Sequence, residues 1–577
     1  MSRKRLQVDS IAEGFLELLE ARGVKYFFGG GAGTDFPPFI EAFAKREAQG
    51  RTDELRPITV IHEITTISMA HGYTMVTGEP QAVMLHTVAG TANAVGGIIN
   101  AARARIPMLV GAGRTSITEK GRRTSRAATI HWAQESFDQA GLVREFVKWD
   151  YELRIGEQLE TVVDRALAIA ANPPAGPVYV TFPLDVAGEG LPDLEFSIKS
   201  RLKPSAAAQP EPAAVACAAE ALINADNPLI VVSSLGRDPH AVVPLVALAE
   251  RLAIPVVESW GAYMNFPHDH PLHQGFDPGP LVAGADVILA IESDTPWFPN
   301  QAEPPDSATV IQVDDDPLYE RYPIRGFPTD VGLAGNAAST LRALEACVAE
   351  ALAAPARDAS KIDARRRRWE GAHRRQRQAW SDAARRVSTD RPMDYRWISR
   401  CIGEVLDGDD IVVTEISLDP TQTCFRRPGT FFSHPHSGVL GWAPGAALGA
   451  KLACPDRTVI CAVGDGGHVF GVPTATHFMS RACDLPVLFV IYNNGSWQRS
   501  REATFRYAPG GFAAKAESVP LCELEPSPRF DLICEANGGY GALVEEPADL
   551  PGALERALHV VKSEQRQALL NVIAKKD

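Results

Sequence analysis

Between Gly464 and Trp497 the chain reads GDGGHVFGVPTATHFMSRACDLPVLFVIYNNGSW, with 26 residues between Gly466 and Asn493. Asp465 stands just past one apolar run, Val459 to Val463, and the pair Asn493 and Asn494 just past the next, Val487 to Tyr492. Two buried strands joined by one helix end on the same edge of a parallel sheet, so Asp465 and Asn494 can meet at one ion. A carboxylate and an amide oxygen are hard ligands of the kind magnesium takes, with phosphate oxygens and water completing an octahedron. Gly464, Gly466 and Gly467 let the backbone approach a phosphate, and a helix expected to start near Gly471 would turn its N-terminal N–H groups toward the charge. Either fragment alone reads as an ordinary turn; the joint spacing is what specifies a diphosphate clamp.

The motif GDG, about 25 residues and NN resembles the signature of the thiamine-diphosphate enzyme superfamily. That resemblance implies Asp465, Asn494 and the backbone carbonyl of Ser496 as magnesium ligands. It extends to VIHEITTISMAHGYTMVTGEPQAVMLHTVAGTANAVGGIINAARARIPMLV, Val60 to Val110, which is similar to the family's pyrimidine-binding domain and sets Glu63 at the catalytic glutamate. A carboxylate bonded to N1′ of the pyrimidine favours the imino tautomer that generates the reactive carbanion. The run HSGVLGWAPGAALGAKL, His436 to Leu452, matches the turn that holds the bent cofactor. There the resemblance implies Leu440 as the supporting side chain, the Gly438 carbonyl as acceptor for the 4′-amino group, and the Leu440 N–H as donor to N3′.

Within the family, LHTVAGTANAVGG at Leu85 to Gly97 resembles benzoylformate decarboxylase and related 2-oxo acid enzymes, which implies a substrate-facing role for His86. A histidine titrating near neutrality suits proton transfer or carboxylate binding. Thr34, in GGGAGTDFPPF, falls at a substrate-side serine, and Gln134, in WAQESFDQ, at the glutamine of a segment like that of acetolactate synthase. The decarboxylase's second active-site histidine has no counterpart in ESDTPWFPNQAEP, Glu292 to Pro304, and the flavin-contacting stretch of acetolactate synthase is not recognisable, so FAD is not expected. His434 and His436 precede the cofactor turn, where a lid or solvent are equal alternatives. His268, His270 and His273 read as a connecting loop rather than a metal tract.

The implied chemistry is non-oxidative decarboxylation of a 2-oxo acid through an enamine, with acyloin formation possible. An acetolactate-synthase-like carboligase, a 2-hydroxyacyl-CoA lyase and a catalytically silent cofactor-binding subunit are the alternatives. The last is disfavoured by the intact Glu63, Asp465 and Asn494.

Positioning these residues takes three α/β segments, and 577 residues suffice for them. Apolar runs alternate with helical patterns in each, which predicts three doubly wound parallel-sheet domains. By the resemblance these are a pyrimidine-binding domain over 1–190, a central domain over 205–350 and a diphosphate- and magnesium-binding domain over 389–577, with a charged linker helix over 355–388 between the last two. A net charge of -14 disfavours nucleic-acid and anionic-membrane partners. Nine scattered cysteines without a C-x-x-C pair, and no apolar span of eighteen residues, fit a cytoplasmic protein. The resemblance implies a homodimer or homotetramer acting on small molecules, with each site built across subunits.

Overall fold

Apolar runs bounded by glycine and proline become the strands of three sheets in the computed structural model, which describes residues 3–353 and 360–576. Residues 355–359 of the expected linker lie outside the described residues; the remainder forms the helix Ser360–Arg386. Its Arg365 is buried rather than solvated. Among the described residues no helix is long and apolar enough to cross a membrane.

The chain divides into two compact units. One comprises residues up to Ser205 with His434–Leu543 and Ala557–Asn571, the other Ala206–Ser433 with Val544–Arg556 and the chain end from Val572. In the first unit six strands run in the order Arg56–Val60, Tyr26–Gly30, Gln81–Leu85, Met108–Arg114, Pro177–Pro183 and Asp150–Glu152. All neighbouring pairs are parallel. Gln81–Leu85 and Pro177–Pro183 are buried at every residue, as expected of strands covered on both faces. From Tyr26–Gly30 the chain crosses to one side of the sheet, and it returns to Gln81–Leu85 on the other. The loops after Gly30 and Leu85 therefore diverge, leaving a crevice at the carboxyl edge where open α/β sheets take ligands.

The basic start of the chain is a strand, Arg3–Val8, paired antiparallel with Leu191–Ser197. The chain thus stays in this unit to Ser205, past Gly190. The same unit holds Val459–Gly464, Leu488–Asn493 and most of Ala568–Ile573 and Tyr540–Val544, neighbours in that order, the first two parallel. The second unit holds a five-stranded parallel sheet in the order Val256–Glu258, Pro228–Val232, Val287–Ile291, Thr309–Asp314 and Val331–Ala334. It also holds the parallel pair Ile411–Glu415 and Phe431–Ser433. Trp297 is core: it is 2% exposed and packs edge-on to Phe327.

One contact in the first unit joins its two α/β parts. The helix Glu63–Thr77 crosses Trp442–Ala453 at backbone distance. A Cβ on Gly72 would lie 2.0 Å from the Ala446 carbonyl oxygen, and one on Gly449 2.0 Å from that of Met69. Neither obstacle is a side chain that can swing aside, so Gly449→Ala must push the helices apart. We expect it to lower stability by about 2 kcal/mol or more, read as a fall in the denaturant midpoint; an unchanged midpoint would show that the crossing is loose.

Candidate active site

Glu63 is the first residue of its helix and is 7% exposed. His62 caps the helix, its Nδ1 accepting from the Ile64 N–H at 3.3 Å. The Glu63 carboxylate points back over the crevice: a Cβ on Gly31 would stand 2.5 Å from Oε1 and one on Gly90 3.2 Å from it. Asn93 donates to Oε2 at 3.2 Å. Gly31 has φ +57°, so both the conformation and the space at that loop call for glycine.

Beside Glu63 a second cluster forms at the ends of the same two strands. His86 Nδ1 makes a short contact with Asp35 Oδ1, and Asp35 Oδ2 accepts from the Thr87 N–H at 3.3 Å. Gln134 Nε2 lies 3.2 Å from His86 Nε2, and the Thr87 hydroxyl donates to Gln134 Oε1 at 3.3 Å. Thr34 sits one step away, 3.1 Å from His131 Nε2, and His131 Nδ1 accepts from the Ala127 N–H. That accepting bond puts the His131 proton on Nε2, so Thr34 accepts from it.

Asp35 escaped the sequence reading, which stopped one residue short at Thr34. It is 3% exposed. The signal was an acid in a glycine-rich loop at a strand's carboxyl end, but its partner lies 51 positions away. The pair needs two glycines: a Cβ on Gly33 would meet His86 Nδ1 at 2.1 Å, and one on Gly113 would meet Asp35 Oδ2 at 1.5 Å.

The bond to Asp35 raises the His86 pKa above its ordinary value, against desolvation, with smaller contributions from the Asp35 and Glu63 charges. Protonation at Nε2 obliges the Gln134 amide to turn over and present its oxygen, after which its NH₂ faces Thr87. A histidine pKa raised on folding contributes stability that is full below about 6.5 and is lost as pH rises through the raised folded value. Asp35→Asn should therefore narrow the stability gap to wild type as pH rises from 6 to 9, by about 1 kcal/mol after allowance for partial exposure. Denaturation midpoints across that range test it, and a pH-independent gap would remove Asp35 as the cause.

At the other end, Asp465 is 4% exposed and opens the helix Asp465–Phe470. The expected start near Gly471 is thus corrected: Gly471 closes this short helix, and Pro473 opens the next, Pro473–Ala482. The sequence GDGGH continues straight from strand to helix because Gly464 caps in an extended conformation. Asp465 Oδ1 accepts from the Gly466 N–H at 2.8 Å and Oδ2 from the Gly495 N–H at 2.7 Å. Burial nevertheless pushes its pKa up to about 6.

The Asn494 Oδ1 accepts from the Ser496 N–H at 3.0 Å, which fixes the amide orientation. The Ser496 carbonyl accepts from the Gln498 N–H and keeps a second lone pair. Asn493 is instead pinned by Asn571 and Ser527. Gly466 admits the Trp497 ring, whose Cζ3 lies 2.4 Å from where a Cβ would stand; Gly467 is buried beside it.

The helix Thr87–Arg103 links the ends. Asn93 holds Glu63; one turn on, a Cβ on Gly96 would lie 2.9 Å from Val439; two turns on, Asn100 donates to the Val439 carbonyl at 2.9 Å and accepts from Ser437. Gly438, with φ +65°, and half-buried Leu440 flank Val439. His434 is buried and pushed down to about 4, hence neutral rather than solvent-facing, while His436 is half-buried.

A buried carboxylate held by backbone N–H groups, an oriented amide oxygen and adjoining glycines form a donor set that fits a magnesium diphosphate. Residues 9–142 match the thiamine pyrophosphate enzyme N-terminal TPP binding domain, 215–344 its central domain and 418–572 its C-terminal TPP binding domain. The chain is 27% identical over 573 residues to benzoylformate decarboxylase of Pseudomonas aeruginosa, covering 94% of this chain and 95% of that protein. It is 28% identical over 539 residues to acetolactate synthase large subunit IlvG of Mycobacterium tuberculosis, covering 88% and 87%. Among solved structures, the thiamine diphosphate-dependent 4-hydroxybenzoylformate decarboxylase of Rhodococcus jostii superposes with a TM-score of 0.78 at 25% identity, covering 98% of this chain and 99% of that one. With its N-terminal, central and C-terminal domains all matched in order, this chain belongs to the thiamine pyrophosphate enzyme family.

Proposed function

We propose that this chain is a magnesium- and thiamine-diphosphate-dependent enzyme that decarboxylates a 2-oxo acid without oxidation, with carbon–carbon ligation as the other outcome at the same site. The observation that carries the reading is the convergence of Glu63 with the Asp35, His86 and Gln134 set at one sheet crevice, in the unit that also holds Asp465 and Asn494.

When bound, the cofactor supplies an electron sink for the bond to carbon dioxide. The residues do the rest. Asp465, the Asn494 amide oxygen and the Ser496 carbonyl would hold magnesium, with Gly464, Gly466 and Gly467 giving the diphosphate room. Glu63 would hold the proton at the pyrimidine N1′, and the Gly438 carbonyl, the Leu440 N–H and the Leu440 side chain would position the ring. His86, kept cationic by Asp35, attracts the substrate carboxylate and carries a transferable proton at Nε2. Gln134 turns with that proton, and Thr34 lines the same wall. The decarboxylase relatives favour a 2-oxo acid, and the acetolactate synthase relative supports the ligation arm. The family plan further implies a cytoplasmic homodimer or homotetramer, which a mass measurement in solution tests.

The direct test is calorimetric titration of cofactor-stripped protein with magnesium and thiamine diphosphate, then a CO₂-release screen over pyruvate and branched and aromatic 2-oxo acids. Binding with release from one class supports the reading and names the class. Absence of binding overturns it, and binding without release from any of them points to a thioester lyase or a silent subunit.

A further inference from the structure

Outside the site above, the second unit buries another cluster able to bind a ligand. Glu258 ends the strand Val256–Glu258, and the loop carrying His268 and His273 folds back over it. These histidines lie on a connecting loop, as expected, but their rings point inward: Glu258, His268 and His273 are 1%, 1% and 0% exposed. The imidazoles stack with centroids 5.0 Å apart, and the Nε2 of each lies 3.2 Å from the same Glu258 Oε1. Glu258 Oε2 is occupied separately, accepting from Asn265 Nδ2 at 2.7 Å. Asn265 in turn bonds the carbonyls of Ser233 and Tyr263 and the N–H of Gly236, so Oε1 is aimed at the imidazoles by a fixed frame.

The second observation is an unsatisfied atom. His273 Nε2 is oriented to hydrogen-bond Glu258, but His268 Nε2, at the same distance, is not and has no hydrogen-bond partner. Phe276 and Phe425 pack edge-on to His268 at 5.1 and 5.6 Å, which walls the nitrogen off from solvent. A buried polar atom without a directed partner is destabilising.

We propose that Glu258, His268 and His273 supply three of the four ligands of a site for a divalent transition metal of the zinc type, with a bound water in the fourth position. Their three donor atoms lie within 4.8 Å of one another. In a tetrahedral zinc site with bonds of about 2.0–2.1 Å, adjacent donors stand about 3.3–3.4 Å apart, close to the two 3.2 Å edges here. Two imidazoles and an aromatic wall exclude calcium and magnesium, which call for shells of oxygen ligands. The costs are at the Nδ1 atoms: His268 Nδ1 takes a long 3.4 Å contact from the Phe425 N–H, and His273 Nδ1 is buried without a hydrogen-bond partner. Coordination through Nε2 moves the ring proton to Nδ1 and forfeits that contact, while the 2.9 Å bond from the His268 N–H to the Phe425 carbonyl remains. Because His373 Nδ1 bonds the His273 carbonyl at 2.8 Å, a metal here fastens strand and loop to the helix Ser360–Arg386. The site is independent of the proposed reaction.

The test uses the full-length protein, freed of metal by chelation and then saturated with magnesium and thiamine diphosphate. Cobalt(II) is titrated in and followed by its visible absorption, which is strong for a four-coordinate site and weak for an octahedral oxygen site. One equivalent of strongly absorbing cobalt, displaced by zinc, is expected, with a thermal midpoint several degrees higher. Glu258→Gln keeps the acceptor for Asn265 but removes the charge, and it should weaken cobalt binding at least 100-fold; His268→Ala with His273→Ala should abolish it. If the double variant does not fold, Glu258→Gln decides alone. No strongly absorbing equivalent, or equal binding by Glu258→Gln, overturns the proposal and leaves a hydrogen-bonded Glu–His cluster.

Discussion

Replacing Glu63 with glutamine should lower turnover on the best 2-oxo acid by about 10²- to 10⁴-fold, the range in which a positioned acid–base group acts, while leaving fold and cofactor affinity nearly intact. The amide is isosteric, and its oxygen can still accept from Asn93, which now donates to Glu63 Oε2 at 3.2 Å. The close walls at Gly31 and Gly90 leave no room for the side chain to swing elsewhere. Lost is only the carboxyl's ability to share a proton with the pyrimidine. Three readouts separate the possibilities: the thermal midpoint, calorimetric affinity for magnesium thiamine diphosphate, and initial rate of CO₂ release. A rate within tenfold of wild type at unchanged affinity would remove Glu63 from the chemistry. A fallen midpoint would instead make it a structural residue at a helix N-terminus.

The parts of this site that were legible in the sequence are those specified by backbone geometry within one or two elements. Asp465 and Asn494 follow two apolar runs, and fully buried parallel strands such as Val459–Gly464 and Leu488–Asn493 show such runs plainly. Short edge strands do not: Val331–Ala334, Phe431–Ser433 and Tyr540–Val544 have few or only partly buried residues, and the strand Arg3–Val8 alternates exposure while carrying three cations. Each exists because a neighbour offers it a ladder, which is a tertiary effect. The Asp35–His86 pair was hidden for a related reason. Gly33 and Gly113 make space for it from two different strand ends, so no local window contains the pair. His434, for which lid and solvent were equal alternatives, is buried: a loop in sequence does not show which way it packs. His268 and His273 were read as loop because a loop in sequence carries no sign of which way its side chains face.

Changing Asp465 to asparagine should abolish the response of the protein to its cofactor without unfolding the apoprotein. The carboxylate is buried, and the groups that favour its ionised form are the N–H groups of Gly466, Gly495 and Ser496 rather than a cationic side chain. The folded apoprotein thus carries a desolvated carboxylate near an oriented amide oxygen, an arrangement that favours a divalent cation once diphosphate brings it. Asparagine removes the charge and keeps one acceptor, but its NH₂ faces an N–H, a mismatch of about 1–3 kcal/mol set against the relief of burying a carboxylate. These terms oppose each other, so the apo thermal midpoint should stay close to wild type. A ligand present at 100 times its dissociation constant stabilises the folded state by about 2.7 kcal/mol. Wild type should show that gain with magnesium and thiamine diphosphate, and Asp465→Asn should show none. A variant that still gains it would move the magnesium site away from Asp465, and with it the assignment of Asn494 and Ser496.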